Sequence, residues 1–372
     1  YTLYAKIWDR AEPKESFEAL TAWHAGLPPD ARCLLSAQQV PSFCRDGRVE
    51  TETLTRGRPG AFLVNFDAVV DAEGMQWHIV IDGPRSQVEV FELCRKLESG
   101  GGTHAEIVAA RDRNSDGLDG LLRRADAFQE SADTMAAAHH RANVLFNIMR
   151  GGVFVDGTRF DRDDLLAFAR QRHKALGQAL ADVAADWPGA VERAFALEAA
   201  AQALGNQGER LVLEYLPLTF SRRHGDPSRP WNKFSINVKN RDGSKVLDYQ
   251  GNWRDIFQNW EALCLSFPEY LESVISKFVD TTTADGYNPY RVTKEGYDWE
   301  VPNPDEPWAH FGYWGDHQLI YLLKFLEWSQ KHNPGDLGRM LRERRFVYAD
   351  VPYDIKPYED LLEDPRDSLT YN

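Results

Sequence analysis

The sequence has few cysteines, no long hydrophobic run and no excess of positive charge, and each absence excludes a class of protein. The longest apolar stretch, Leu319–Phe325, is interrupted by Lys324 and is far shorter than the roughly 18 residues of a membrane-spanning helix. With 57 acidic and 43 basic residues, the net charge of −14 disfavours nucleic acid and anionic membranes as partners. The four cysteines show neither C-x-x-C spacing nor the density of a disulfide scaffold, which favours a reducing compartment: Cys33, Cys44, Cys94 and Cys264.

Several catalytic motifs are also missing from the sequence. There is no G-x-S-x-G, H-E-x-x-H, Walker or dinucleotide-binding motif, so serine hydrolase, zincin and nucleotide-binding classes have no support. His139 and His140 are adjacent in a predicted helix, where neighbouring side chains point in different directions and make a poor metal pair. We therefore expect no metal and no organic cofactor.

Turn residues and hydrophobic periodicity divide the chain into three regions. Residues 1–84 contain short runs rich in Val, Ile, Phe and Trp, separated by Gly and Pro, which predicts a β-rich region. Residues 85–102 form a linker helix that ends at three consecutive glycines, Gly100–Gly102. Residues 103–372 are mainly helical. Apolar residues at intervals of three and four predict its first helices at Thr103–Arg113, Leu118–Phe128, Ala132–Met149, Asp163–Ala185 and Gly189–Leu204.

The last third of the chain predicts a helical layer with a long loop. Apolar residues from Trp253 to Cys264, and a second set after Pro268, predict an αα-hairpin. The segment Thr283–Tyr313 has no helical period, and a loop of that length usually builds a site. The following helix, Asp316–Lys331, is apolar nearly all round and is expected in a buried inner layer. Paired inner and outer helices with long loops are typical of an α/α-toroid.

Aromatic residues are concentrated around this loop. Seven of the eleven tryptophans lie between Trp231 and Trp328, and three of them are in or beside the loop with several tyrosines. Flat rings stack on the apolar face of a sugar while neighbouring polar groups bind its hydroxyls, so the cluster favours a carbohydrate cleft. The alternative is that these rings only fix a long loop to the surface.

Carboxylates alternate with the rings of the loop. Glycoside cleavage requires a carboxylic acid that protonates the leaving oxygen, and aromatic neighbours can keep such an acid protonated near neutral pH. Asp298 and Glu300 flank Trp299 and fit this description best, although two exposed charges on a turn would look the same. Asp316 lies where a helix begins, as a rigid carboxylate or as a simple N-cap.

Two polar segments could contact a ligand beside the loop. Arg254 and Asp255 lie on the polar side of a helix and could bind a polyol, or form an ordinary exposed ion pair. A turn-rich segment of this acidic chain holds three arginines and a histidine, which could bind phosphate or a sugar acid, or pair with the surplus acids: Arg222, Arg223, His224 and Arg229.

Four runs of the sequence resemble large bacterial proteins described as cellobiose-phosphorylase-like, of the six-hairpin glycosidase superfamily. They are Arg222–Asn232, Tyr249–Trp260, Gly286–Arg291 with Asp298–Glu300, and Gly312–Gln318. The resemblance covers roughly residues 135–370. It implies an (α/α)6 barrel, often preceded by a β-sandwich, that hydrolyses or phosphorolyses a glycosidic bond with inversion and without a metal. The acidic Gly-Asp-Trp-Asn-Asp run of cellobiose phosphorylases has its nearest match here in Tyr297–Glu300.

The chain also looks like a piece of a longer protein. It starts at Tyr1 without a methionine or a signal sequence, although a trimmed segment could have carried one. About nine helices are predicted after residue 86, whereas the barrel implied by the resemblance needs twelve. We therefore expect the remainder of a longer polypeptide, or another subunit, as a partner, and a bacterial cytoplasmic location.

The sequence thus predicts a carbohydrate-active enzyme, mainly α, with a toroid-like helical domain after a β-rich region. The alternative is a non-catalytic carbohydrate-binding or scaffolding module of a larger protein. The expected catalytic acid is one of Asp298, Glu300 and Asp316, and inorganic phosphate is the co-substrate if the enzyme is a phosphorylase. The phosphate site would be Arg222, Arg223, His224 and Arg229. The expected saccharide-binding residues are Trp253, Arg254, Asp255, Tyr287, Asn288, Tyr290, Arg291, Trp299, Trp308, Trp314 and His317.

Overall fold

A computed structural model describes residues 2–3, 18–55, 57–219, 240, 244–299, 313–314, 318–351, 353–365, 367 and 369–371. The chain divides into two units, Tyr1–Gly117 and Leu118–Asn372. Twelve α-helices and several small antiparallel sheets lie in the described residues, so the protein is mainly α, as the sequence predicts.

The first unit combines two small antiparallel sheets with helices. One sheet has the order β1-β2-β5, and the other pairs β3 with β4. Helix α2 begins with a capping box, in which Ser86 and Glu89 bond each other's backbone amides. The elements are β1 (Thr2–Leu3), β2 (Glu18–Ala25), β3 (Arg32–Ser36), α1 (Val40–Asp46), β4 (Gly60–Asn65), β5 (His78–Ser86), α2 (Gln87–Glu98) and α3 (His104–Arg124), and α3 continues into the second unit.

The second unit holds the main hydrophobic core, which is formed by residues between Leu121 and Met340. Its first half contains α4 (Thr134–Gly151), β6 (Val153–Phe154), β7 (Arg159–Asp161), α5 (Arg162–Arg172), α6 (Lys174–Val183), β8 (Ala190–Glu192), α7 (Arg193–Leu213) and β9 (Leu218–Thr219). Its second half contains β10 (Gln250–Asn252), α8 (Trp253–Ser266), α9 (Leu271–Asp280), β11 (Tyr287–Asn288), β12 (Arg291–Thr293), β13 (Tyr297–Asp298), β14 (Tyr313–Trp314), α10 (Gln318–His332), α11 (Pro334–Arg342), β15 (Tyr353–Ile355), α12 (Tyr358–Glu363) and β16 (Leu369–Tyr371).

Helix α9 lies at the centre of the second unit. Nine of its ten residues are buried, including three charged ones, and it packs against α7, α8 and α10. The C-terminal part of α7 is also buried on all sides, from Gly208 to Leu213. Helices α4 and α10 pack on α8, and α5, α6 and α7 pack on one another in chain order. The second unit thus contains two buried helix segments, α9 and the C-terminal part of α7.

The structure corrects two predicted helix boundaries. The predicted helix Asp163–Ala185 is two helices, because His173 has extended backbone angles and ends α5. Its imidazole Nδ1 then accepts a hydrogen bond of 3.1 Å from the Leu176 amide and so caps α6. Conversely, the two helices predicted within residues 103–128 form the single helix α3, since the glycine at position 117 is tolerated inside it.

The prediction that the last long helix is buried on all sides is wrong. In α10 only Gln318, Phe325 and Ser329 are buried. Leu319, Ile320 and Leu323 are 54–55% exposed, because α8, α9 and α11 pack against the other sides of the helix. The buried inner helix of this region is α9 instead.

Two glycines give a paired test of helix packing in the second unit. A Cβ at Gly151 would lie 2.9 Å from the Asn259 carbonyl oxygen, where α4 crosses α8, whereas a Cβ at Gly120 in α3 would meet nothing within 4 Å. We expect Gly151→Ala to lower the free energy of unfolding by about 1–3 kcal/mol through overpacking. Gly120→Ala should raise it by up to about 1 kcal/mol, because alanine favours the helix. Urea unfolding measures both, and equal effects of the two variants would contradict the close approach of α4 and α8.

Candidate functional site

Several of the predicted site residues lie in or next to a small sheet at the start of α8. Its strand order is β10-β12-β13, and β10 runs directly into α8. The Trp253 amide donates a hydrogen bond of 2.9 Å to the Tyr290 carbonyl, and the Tyr290 amide donates one of 3.0 Å to the Asp298 carbonyl. The start of α8 and the β12–β13 hairpin (Arg291–Asp298) therefore form one structure.

The register of this sheet separates polar from buried side chains. Asn252, Arg291 and Asp298 are opposite one another and share one face. Neighbouring positions carry Gly251, Val292 and Tyr297 on the other face. Val292 is fully buried, so this second face lies against the core. Adjacent residues of β13 thus point in opposite directions.

An ion pair joins the two charged residues of the polar face. Both Nε and Nη2 of Arg291 contact Oδ2 of Asp298. The Asp298 side chain is 36% exposed, and the Arg291 guanidinium lies 5.5 Å from the centre of the Tyr290 ring. Because hydrogen bonds from a guanidinium stabilise the charged carboxylate, this geometry suits an anionic base better than a proton-donating acid.

Aromatic rings lie next to this ion pair. Strand β11 pairs with β14, which places Tyr287 opposite Trp314. The rings of Tyr287 and Trp299 are 6.4 Å apart, with an angle of 33° between their planes. Tyr290 and Trp299 are half-buried, whereas Tyr287 is buried with 5% exposure, which corrects the prediction that its ring binds a saccharide.

Trp253 does not belong to this accessible surface, which corrects the prediction that its ring binds a saccharide. It is fully buried, and its ring centre lies 4.7 Å from that of Phe257 and 4.8 Å from that of Phe278. Asn288 is also buried, and its amide oxygen accepts a hydrogen bond of 2.8 Å from the Thr282 hydroxyl. Both residues support the site from beneath rather than line it.

The remaining predicted residues fall into two groups. In the first turn of α8, Arg254 is exposed and Asp255 is half-buried. The side-chain Nε2 of Gln318 donates to the Arg254 carbonyl, so the first residue of α10 contacts the first turn of α8. The backbone of Trp314 pairs with that of Tyr287 between β14 and β11. Outside the described residues lie Glu300, Trp308, Asp316 and His317, and the predicted phosphate site of Arg222, Arg223, His224 and Arg229.

A network of buried charges lies beneath the sheet, and the sequence did not predict it. We call it the central network, and its members are Arg172, Arg210, Glu214, Lys277 and Asp280. Glu214 has no solvent exposure and contacts two guanidinium groups, that of Arg172 at 3.2 Å and that of Arg210. Burial opposes ionisation of Glu214, but the two arginines outweigh it and lower its pKa below the usual value.

Asp280 is a second carboxyl group of this network. One of its oxygens accepts a hydrogen bond of 3.0 Å from the Val347 amide, whereas Oδ2 has no donor among the described residues. Burial and the neighbouring Glu214 raise the pKa of Asp280 to about 8. A proton on Asp280 removes the repulsion between this carboxyl group and the ionised Glu214.

Lys277 is the unusual cation of the network. Its Nζ lies 5.3–5.7 Å from the ring centres of Phe168, Tyr249 and Tyr297, and forms no ion pair within 4.0 Å among the described residues. Burial, followed by repulsion from Arg172, lowers the pKa of Lys277 to about 7. The sequence signal was present, since Lys277 is the only basic residue of α9 and Asp280 is one of its two acidic residues, in a helix whose hydrophobic side was predicted to be buried.

No protein-family model and no curated protein matches this sequence. In the described residues, no group of three or more His, Cys, Asp or Glu side chains is arranged to hold a metal ion. Every described helix is too short or too polar to cross a lipid bilayer.

The raised pKa of Asp280 predicts a specific dependence of stability on pH. The folded protein holds this proton up to about pH 8, whereas a carboxyl group with the usual pKa of 3.8 loses it much earlier. The contribution of Asp280 to stability is therefore complete below pH 3.8 and is lost as the pH rises towards 8.

We expect Asp280→Asn, which stays neutral, to remove this decline. Urea midpoints measured from pH 5 to 9 should show a growing advantage of the variant over the wild type. Asp285→Asn, at an exposed loop carboxylate, is the control and should leave the pH dependence unchanged. A constant difference between Asp280→Asn and the wild type across this range would show that Asp280 is ionised throughout.

Proposed function

We propose that this protein cleaves a glycosidic bond of an oligosaccharide or glycoside, by hydrolysis or phosphorolysis. The observation that carries the proposal is the ion pair of Asp298 with Arg291, on a partly exposed polar face beside Tyr290 and Trp299. A polar pair next to partly exposed aromatic residues suits a sugar, because aromatic rings can cover its apolar face while the charged groups bind its hydroxyls.

Asp298 has the properties of the anionic partner in such a reaction. In inverting hydrolysis one carboxylate activates a water molecule, and a second, protonated carboxyl group donates a proton to the leaving oxygen. The two carboxyl groups are about 6.5–9.5 Å apart. Since Arg291 stabilises the charged form of Asp298, we assign it the first role. The proton donor remains one of the other two predicted acids, Glu300 and Asp316.

Phosphorolysis would need a different set of residues. Phosphate then replaces the activated water, and an anion site is required in addition to the acid. Arg222, Arg223, His224 and Arg229 stay our candidates for it, and Asp298 would then orient a sugar hydroxyl instead of acting as a base.

We propose further that the second unit is an α/α-toroid of the six-hairpin glycosidase type. Helices α5, α6 and α7 pack in chain order, and α8 contacts both α9 and α10. Helix α9 contacts α7, and the buried α9 and the buried part of α7 would be inner helices. The loops after α9 that hold the ion pair would then lie at one mouth of the toroid, where such folds place their sites.

A non-catalytic carbohydrate-binding module remains the second candidate function. Asp298 is already bound by Arg291, and a satisfied ion pair could serve recognition alone. This candidate requires the same rings but no turnover, so the two are separated by experiment.

The test is a turnover screen of the purified chain on gluco-, manno- and xylo-disaccharides, with and without inorganic phosphate. Release of monosaccharide without phosphate indicates a hydrolase, and phosphate-dependent sugar 1-phosphate indicates a phosphorylase. Saccharide binding without any turnover would support the binding module, and neither binding nor turnover would overturn the proposal.

For a hydrolase we expect Asp298→Asn to lower kcat by about 10²–10⁴-fold, because the base that activates water is lost. Saccharide affinity should stay within a few fold of the wild type. Glu295→Gln removes an exposed carboxylate from the same hairpin and is the matched control, with kcat unchanged. Steady-state kinetics measure kcat for both variants. Full activity of Asp298→Asn would exclude this residue as the base.

A further inference from the structure

The β12–β13 hairpin is connected to the core by one of its own side chains. Tyr297 precedes Asp298 and points to the opposite face of the sheet. Its hydroxyl accepts a hydrogen bond of 2.8 Å from Nη2 of Arg172, and the guanidinium lies 4.3 Å from the centre of its ring. One side chain of the central network thus holds Tyr297 by both a hydrogen bond and a cation–π contact.

Arg172 itself is held firmly. It is the last residue of α5, and His173 ends the helix there. The same Nη2 donates to Glu214 at 3.2 Å, and Glu214 is also bound by Arg210 from α7. Because Glu214 is fully buried and ionised, the guanidinium of Arg172 cannot leave it without a large cost in free energy.

A second connection joins the turn of the hairpin to the other end of α5. Nζ of Lys294 donates to Oδ1 of Asp164 at 2.6 Å and to the Leu247 carbonyl at 3.1 Å. Asp164 lies in the first turn of α5 and Arg172 in its last turn. Helix α5 therefore contacts the turn and the final strand of the hairpin through separate side chains.

We propose that Arg172 is a positioning residue, which fixes through Tyr297 the place where Asp298 meets a substrate. The role rests on the proposed function, since Asp298 is the reacting group there. Arg172 touches no substrate in this arrangement. A carboxylate displaced by about 1 Å can cost about 10²-fold in rate, so the tether on the adjacent residue bears directly on activity.

The decisive variant is Tyr297→Phe, because it removes one hydroxyl and leaves every charge of the network in place. Arg172→Met would leave Glu214 short of a partner and could unfold the protein, so it is not the main test. Tyr270→Phe is the matched control. The Tyr270 hydroxyl donates a hydrogen bond of 2.7 Å to the Gly157 carbonyl in the core, and no residue of the hairpin takes part.

Two measurements are made on both variants. The first is amide hydrogen exchange at Tyr290 and Thr293, whose amides donate to the Asp298 and Gly296 carbonyls. We expect exchange at these two amides to be at least about fivefold faster in Tyr297→Phe than in Tyr270→Phe, at matched global stability. The second is steady-state kinetics on the disaccharide that the turnover screen identifies, where kcat should fall about tenfold with KM within twofold.

Unchanged exchange at both amides in Tyr297→Phe would overturn the inference, whatever the kinetics. Faster exchange with unchanged kcat would also overturn it, because the position of the hairpin would then not matter for the reaction. If the wild-type chain turns over no substrate in the screen, the proposed function fails, while faster exchange would still support Arg172 as the residue that positions the hairpin.

Discussion

The fully buried carboxylate of Glu214 is the constraint on which the rest of the second unit depends. Desolvating an ion costs several kcal/mol, and an ion pair compensates only when its geometry is good. Arg172 and Arg210 supply that geometry from α5 and α7, so these helices and the chain after α7 are fixed relative to one another. Apolar residues of similar volume would often stabilise a core at least as much as these buried charges do. The charges therefore serve the specific arrangement of groups around them.

The sequence predicted helices well where an apolar stripe decided their packing, as in α8 and α9. It failed where a single side chain decided a boundary. His173 ends α5 and caps α6 with one imidazole, and no hydrophobic period reveals that. The apolar composition of α10 was misleading for another reason. Periodicity shows that a helix has apolar sides, but only tertiary packing determines how many of them are covered.

The candidate site was predicted in part. Counting aromatic and acidic residues located the loop and the Asp298 region, but gave the rings of Tyr290 and Trp253 the same role. Their burial in the structure separates them, because Trp253 enters the core at the first position of α8 while Tyr290 stays half-buried. The central network is assembled from residues up to about a hundred positions apart. From the sequence alone such charged residues are expected at the surface, and only the tertiary structure shows that they are buried together.

The opposite orientation of Tyr297 and Asp298 has a consequence for how the chain can vary. Side chains alternate along a strand with a period of two, so a gain or loss of one residue between Lys294 and Gly296 would exchange their faces. A third carboxylate would then enter the region of Glu214 and Asp280, and a phenol would face solvent. Only insertions or deletions of an even number of residues in this turn would therefore keep both side chains on their faces. The length of this turn should vary less than that of an ordinary loop.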